Sequence, residues 1–248
     1  MSEVRLSQAG LPAIVLTAVA MLAFAANSLL CRLALQQRGI DAASFTSIRL
    51  VAGAITLAII VRFRAQRSLP GNADWLSAAM LFAYVAFFSF AYLTLSAGTG
   101  ALILFGAVQL TMLSAGLRAG ESFGIMAWLG LALAVAGLVY LVSPGVAAPP
   151  LFGAALMTVA GVAWGMYSLR GRGVANPLAA TAGNFARATP LALALSLVFG
   201  DKAYADTTGV ALAVASGAIT SGIGDVIWYA ALSKLSAMRA ATVSCRCH

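Results

Sequence analysis

At 248 residues the chain is long enough for one or two soluble domains. Yet 62% of it is hydrophobic and only 9% charged, where a soluble globular chain carries roughly a quarter charged residues, so a water-soluble fold is excluded. The net charge of +8 does not point to nucleic acid, because no basic cluster with interleaved aromatic residues marks a soluble face.

Crossing about 30 Å of hydrocarbon takes about 20 apolar residues in a helix. In chain order the sequence predicts such helices over Leu11–Cys31, Ala42–Val61, Trp75–Ser96, Gly100–Leu117, Phe123–Ser143, Leu151–Leu169, Leu178–Phe199 and Thr207–Leu232, with a ninth beginning near Ser236. Only Arg49, Arg187 and Asp225 interrupt these runs with a charge. The runs are apolar on every side, whereas barrel strands alternate apolar and polar residues; the predicted class is therefore an all-α integral membrane bundle. Arg5 followed by an apolar run and the triplet Ala23-Phe24-Ala25 also fits a cleavable signal peptide, but the repeat described next requires the first helix to be retained. Three cysteines, Cys31, Cys245 and Cys247, make no disulfide framework.

Cytoplasmic loops are enriched in Lys and Arg. With the N-terminus inside, the inner segments hold Arg5, Arg62, Arg64, Arg67, Arg118, Arg170, Arg172 and Lys234, and the outer loops only Arg32, Arg38 and Lys202. A cytoplasmic N-terminus in a multi-pass protein of the cell (plasma) membrane, the inner membrane of a bacterium, is the expectation. Slid against itself, the chain repeats at a spacing of about 138 residues, pairing Ala25 with Ala163, Arg32 with Arg170, Arg49 with Arg187 and Leu57 with Leu195, while Tyr92 and Ser96 meet Tyr229 and Ser233 one residue earlier. Residues 1–148 form the first five-helix unit and residues 149–248 an incomplete second one. Five is odd, so the second unit enters the membrane from the opposite side. Inverted repeats of that kind characterise secondary transporters, whose two halves rock about a site at the midplane.

Gly120-Glu121 at the entry to the fifth helix, followed by Trp128, Gly130 and Ala136-Gly137, and later Trp228-Tyr229-Ala230-Ala231-Leu232 with Leu235-Ser236-Ala237 and Ala240-Ala241, resemble the EamA-type branch of the drug/metabolite transporter superfamily. The resemblance implies ten helices in two inverted five-helix repeats, both termini in the cytoplasm, and export or exchange of metabolites, amino acids or drug-like compounds. Two departures from the pattern stand out: Val108-Gln109-Leu110, where many members carry proline, and Asp225, at a position usually apolar or aromatic.

Ionisable residues inside a membrane tend to face the bundle interior or a watered cavity. Arg49 and Arg187 are candidates to grip a carboxylate, which arginine does bidentately; the structural alternative is that they bond helix-end carbonyls. Asp225, the one carboxylate inside a predicted span, is the candidate for proton coupling, or else pairs with an arginine. Tyr84, Phe88 and Tyr92 recur every four residues on the third helix, as a pocket wall or as packing. Asn27 and Trp164 complete the expected substrate-binding set of Asn27, Arg49, Tyr84, Trp164 and Arg187, predicted to border one central cavity. Gly161 and Gly165 flank Trp164 at the spacing that lets membrane helices approach, and Pro190 is expected to kink the seventh helix.

Enzymatic chemistry finds no residues. The one histidine, His248, is terminal; no phosphate loop exists for ATP; and Cys245-x-Cys247-His248 lacks a fixed four-ligand set. No cofactor, metal or nucleic acid is expected; the partners are a small-molecule substrate, the lipid bilayer and protons, and a homodimer is allowed. Two alternatives are a truncated, non-functional transporter product and, behind it, a membrane enzyme acting on lipids. Truncation is suggested because a second unit offset by about 137 residues would run to roughly residue 280, whereas the sequence turns polar at Ser244-Cys245-Arg246-Cys247-His248. Eight full spans and a stub of the ninth, with little transport by this chain alone, are the resulting expectation.

Overall fold

The computed structural model describes residues 2–63, 73–120, 125–142, 149–172, 174–228 and 230, with side chains of the first helix described from Val15 onward. The expected ninth-helix stub, Glu121, Cys245, Cys247 and His248 lie outside the described residues. Helices α1 (Ser2–Gln36), α2 (Ala42–Phe63), α3 (Trp75–Ala91), α4 (Ala97–Arg118), α5 (Ile125–Val142), α6 (Leu151–Arg170), α7 (Pro177–Val198) and α8 (Thr207–Ala215) follow one another. A π-helical stretch, Ser216–Ile223, continues α8, and helix runs on to Trp228. Length and composition suit five of the described helices to crossing a membrane, namely Val15–Gln36, Ala42–Phe63, Ala97–Arg118, Leu151–Arg170 and Thr207–Trp228; α3 is apolar but shorter.

The caps explain where helices begin. Asp74, Ser96, Asn176 and Asp206 each accept a backbone N–H three residues on, satisfying donors that a helix start leaves open. The third span was expected to reach Ser96, but α3 stops at Ala91. Tyr92–Leu95 turn instead, because the Ser96 hydroxyl accepts from Thr99 N and starts α4. Through Pro190 the α7 helix is unbroken.

Outward faces are apolar: Leu22, Ile55, Phe63, Leu151 and Leu197 are all exposed. In water such a surface would aggregate, whereas in lipid it is the expected exterior. Inside, α2 packs on α7, α3 on α6 and α7, α4 on α5 and α6, and α8 with its π extension on α1 and α2. Small residues permit the closest crossings. A Cβ on Gly161 would stand 2.6 Å from the Ala107 Cβ and 2.7 Å from the Leu104 carbonyl oxygen, and one on Gly165 would stand 2.9 Å from the Thr111 Cβ, so this pair brings α6 against α4 as its spacing predicted.

The bundle closes differently at its two ends. Where α3 and α7 start and α6 finishes, Arg170 Nη2 donates to Asp74 Oδ1 at 3.1 Å and its Nε to Ser77 Oγ at 3.0 Å. Asn184 Oδ1 accepts from the Asp74 backbone N–H at 3.2 Å. At the other end, the α1–α2 and α7–α8 turns meet in an antiparallel bridge between Ile40 and Ala205. Asp41 N donates to the Tyr204 carbonyl at 3.0 Å and Asp206 N to that of Gly39 at 2.7 Å.

Candidate functional site

Five elements converge on one polar spot in the apolar interior. From α2 comes Arg49, only 1% exposed. Its Nε donates to Ser221 Oγ at 3.0 Å and its Nη2 to the Tyr84 hydroxyl at 3.1 Å. The guanidinium carbon stands 5.2 Å from the Tyr84 ring centre and 5.0 Å from that of Phe88, within range of cation–π attraction. Its Nη1 finds no partner among the described residues. A cation in such a place is costly, and one of its nitrogens remains without a partner.

Asn27 on α1 organises the neighbouring wall. Its Oδ1 accepts from Ser216 Oγ at 2.7 Å and lies 3.0 Å from Thr220 Oγ1, which also bonds the Ser216 carbonyl. The Asn27 amide reaches the Tyr84 hydroxyl at 3.4 Å. Trp164 on α6 lies behind Tyr84, ring centres 4.8 Å apart, and meets Phe24 edge-on at 5.6 Å. Asp225, 2% exposed, follows the π-helical stretch by two residues and, among the described residues, has no ion pair; the one described ion pair is Arg170 with Asp74. Together Phe24, Asn27, Arg49, Leu81, Tyr84, Val85, Phe185, Thr220, Ser221 and Asp225 enclose a cavity of about 10 Å³, room for about one water molecule. A guanidinium and a carboxyl group thus face one small space without forming an ion pair.

The model of the EamA-like transporter family matches residues 11–143. A relative in Pseudomonas aeruginosa, the uncharacterized protein PA1977, is 52% identical over 230 residues, covering 93% of this chain and 80% of that relative. The chain belongs to the EamA-like transporter family. Family and apolar helices together make it a multi-pass membrane protein of transporter type.

In this EamA-like transporter Asn27, Arg49 and Tyr84 border one cavity, Trp164 backs its wall, and Asp225 joins them. Arg187 stands apart: it is half-buried and its Nη1 donates to the Gly183 carbonyl of its own helix at 3.2 Å. The reason is register. The buried face of α7 runs through Thr181, Asn184, Phe185, Ala188 and Ala192, so Phe185 fills the cavity and Arg187 falls beside the stripe, whereas Arg49 lies on the buried face of α2. Of the aromatic stripe, Tyr84 lines the cavity, while Phe88 and Tyr92 pack edge-to-face 4.7 Å apart in the core. Sequence reasoning missed Ser216, Thr220 and Ser221. Their signal was present, three hydroxyls within Ser216–Asp225, but their convergence depends on π-helical turns.

The EamA-like transporter also carries a titratable group outside its spans. Burial raises the Asp74 carboxyl, but hydrogen bonds from the Ser77 backbone and side chain and the Arg170 guanidinium outweigh it and hold the group below the usual carboxylate range. A depressed value stabilises the fold above the ordinary carboxylate pKa, and that contribution is lost as pH falls through the lowered one. The unfolding midpoint in detergent should therefore drop below about pH 4 by less in Asp74→Asn than in the parent. Identical acid curves for the two proteins would show that this carboxylate contributes nothing.

Proposed function

We propose that this EamA-like transporter is a secondary transporter, an exporter or exchanger of small metabolites, amino acids or drug-like compounds, that works by alternating access around the Arg49–Asp225 cavity. The observation that carries the reading is a buried guanidinium with an unused donor and a buried carboxyl group facing the same cavity. Arg49 offers a substrate carboxylate its free nitrogen, Asn27 and Tyr84 fix the geometry, and Trp164 stiffens the aromatic wall. Asp225 is the proton-coupling group, because a second negative charge entering beside it favours its taking up a proton. Arg187 contributes to this site only through α7.

The packing pattern supports an inverted repeat. Exchanging α1 with α6, α2 with α7 and α3 with α8 turns the α3–α6 contact into α8–α1 and the α3–α7 contact into α8–α2, both of which occur, and leaves α2–α7 unchanged. Two five-helix halves related in this way, with a cytoplasmic N-terminus in the cell membrane as the Lys/Arg bias predicts, fit the rocking mechanism.

Purified full chain in vesicles should accelerate equilibration of a labelled small-metabolite mixture over protein-free vesicles, and an imposed pH gradient should drive accumulation. Asp225→Asn should keep equilibrative exchange but lose the response to the gradient. No flux above protein-free vesicles for any solute would sink the transport reading, and an unchanged gradient response in the variant would remove Asp225 from coupling.

A further inference from the structure

We propose that the Arg170–Asp74–Ser77 cluster is the door of the central cavity, the end of the bundle that parts first, while the turn-to-turn bridge at the opposite end stays shut. The inference rests on the reading of that cavity as a transport site. Its basis is an inequality between the two closures.

At the door, three helices are tied by hydrogen bonds that each use at least one side chain among the described residues. Arg170 belongs to α6, Asp74 and Ser77 to the start of α3, and Asn184, which receives the Asp74 backbone N–H, to α7. Both members of the ion pair are about two-fifths exposed, at 40% and 41%, so solvent and salt compete for them. Behind the cluster lies a void of about 20 Å³ that Ser77, Thr181 and Asn184 help to line. It is separated from the central cavity by about one helical turn of α3, 5.4 Å, since Ser77 borders the first space and Leu81 the second. On α7 the neighbours Asn184 and Phe185 divide the two spaces in the same way. Both spaces are lined by α3 and α7, so letting α3 move from α7 at Asp74, which Arg170 holds in place, joins the voids and opens a path to Arg49.

At the opposite end Arg32 Nη1 donates to the Tyr92 carbonyl at 2.7 Å, and main-chain contacts between two turns are added to that bond. Ile40 pairs with Ala205 through the backbone, Asp41 and Asp206 donate backbone N–H groups across the junction, and the Asp41 carboxylate accepts from Tyr204 N at 3.1 Å. A Cβ on Gly209 would meet the Gly39 backbone carbon at 2.6 Å, so the two turns are in direct main-chain contact there. Unlike an exposed ion pair, this contact cannot be loosened by screening.

The test measures entry to the cavity without needing a substrate. In a full chain with Cys31, Cys245 and Cys247 replaced by alanine, Leu81→Cys places a thiol in the cavity wall, and its reaction with a charged thiosulfonate is followed in detergent. Arg170→Gln or Asp74→Asn should speed labelling about fivefold, the ratio that the upper range of an exposed pair implies, and the charge exchange Asp74→Arg with Arg170→Asp should restore the slow rate. Salt at about 1 M, where screening acts within about 3 Å, should speed the parent but not Arg170→Gln. Asp41→Asn, at the opposite end, should change little. Native Cys31, retained in a parallel set, is fully buried and should stay unreactive in Arg170→Gln, which separates an opened door from a loosened bundle. Labelling at the parent rate in both door variants, an equal rise in Asp41→Asn, or a reactive Cys31 would each overturn the proposal. Flux with unchanged labelling would refute the door alone, and faster labelling without flux in any vesicle would refute the transport reading alone.

Discussion

Replacing Arg49 with alanine is expected to abolish flux and to cost about 1–3 kcal/mol of stability, the range for leaving buried hydrogen-bonding groups without their partner. The substitution strands the Ser221 hydroxyl, takes one donor from the Tyr84 hydroxyl, and leaves the Asp225 carboxylate in a 10 Å³ cavity without the only cation that lines it. Arg49→Lys should fail almost as completely in transport, because an ammonium cannot span Ser221 and Tyr84 as the planar guanidinium fork does. Adding Asp225→Asn to Arg49→Ala should cost less stability than the sum of the two single changes, because both groups face the same cavity, yet restore no flux. Denaturant titration in detergent and vesicle flux, run on the four proteins of that cycle, decide the matter. Independent, additive losses would mean that the two charges do not sense each other across the cavity.

The second large effect concerns Gly217 in the π-helical stretch. A Cβ there would collide with the Arg49 carbonyl oxygen and stand 2.9 Å from its carbonyl carbon and 3.0 Å from the Ala52 Cβ. These are backbone and helix-core atoms that cannot swing aside. Gly217→Leu must therefore push α2 from the π segment and carry Arg49 away from Ser221. A loss of about 3 kcal/mol, the top of the range for overpacking, is expected together with loss of flux. Gly106→Leu is the control: nothing lies within 4 Å of that position, and its unfolding midpoint should stay within about 0.5 kcal/mol of the parent. Equal behaviour of the two variants would mean that the crossing is looser than its geometry implies.

Much of this architecture was legible in the sequence because a bilayer imposes one simple demand, unbroken apolar helix. The starts of α2, α3, α6 and α8 lie where apolar runs begin, and the caps Asp74, Asn176 and Asp206 mark three entries. The end of α3 was not legible, since Tyr92–Leu95 are as apolar as the helix before them. The site was legible as far as cost reveals function: Arg49 and Asp225 are expensive in an apolar span and both line the cavity. Arg187 obeys the same rule of cost but escapes it by rotating off the buried stripe and bonding Gly183, something that periodicity in a nearly uniform apolar run does not disclose. The π-helical turns that gather Ser216, Thr220 and Ser221, and the Ile40–Ala205 bridge, were invisible because both are set by packing between distant segments.

The bonds of Arg49 also impose an order in time. One partner, Tyr84, lies 35 residues downstream and the other, Ser221, 172 residues downstream. During synthesis, which proceeds from the N-terminus and folds units as they emerge, α2 must therefore enter the membrane with a cation that only Tyr84 and Phe88 can quiet, and wait for most of the remaining chain before Ser221 arrives. Arginine at the centre of an inserted helix costs about 2.5–3.5 kcal/mol. Until the π-helical segment is made, that cost is offset only by the Tyr84 hydroxyl and the Tyr84 and Phe88 rings, and Ser221 completes the set last.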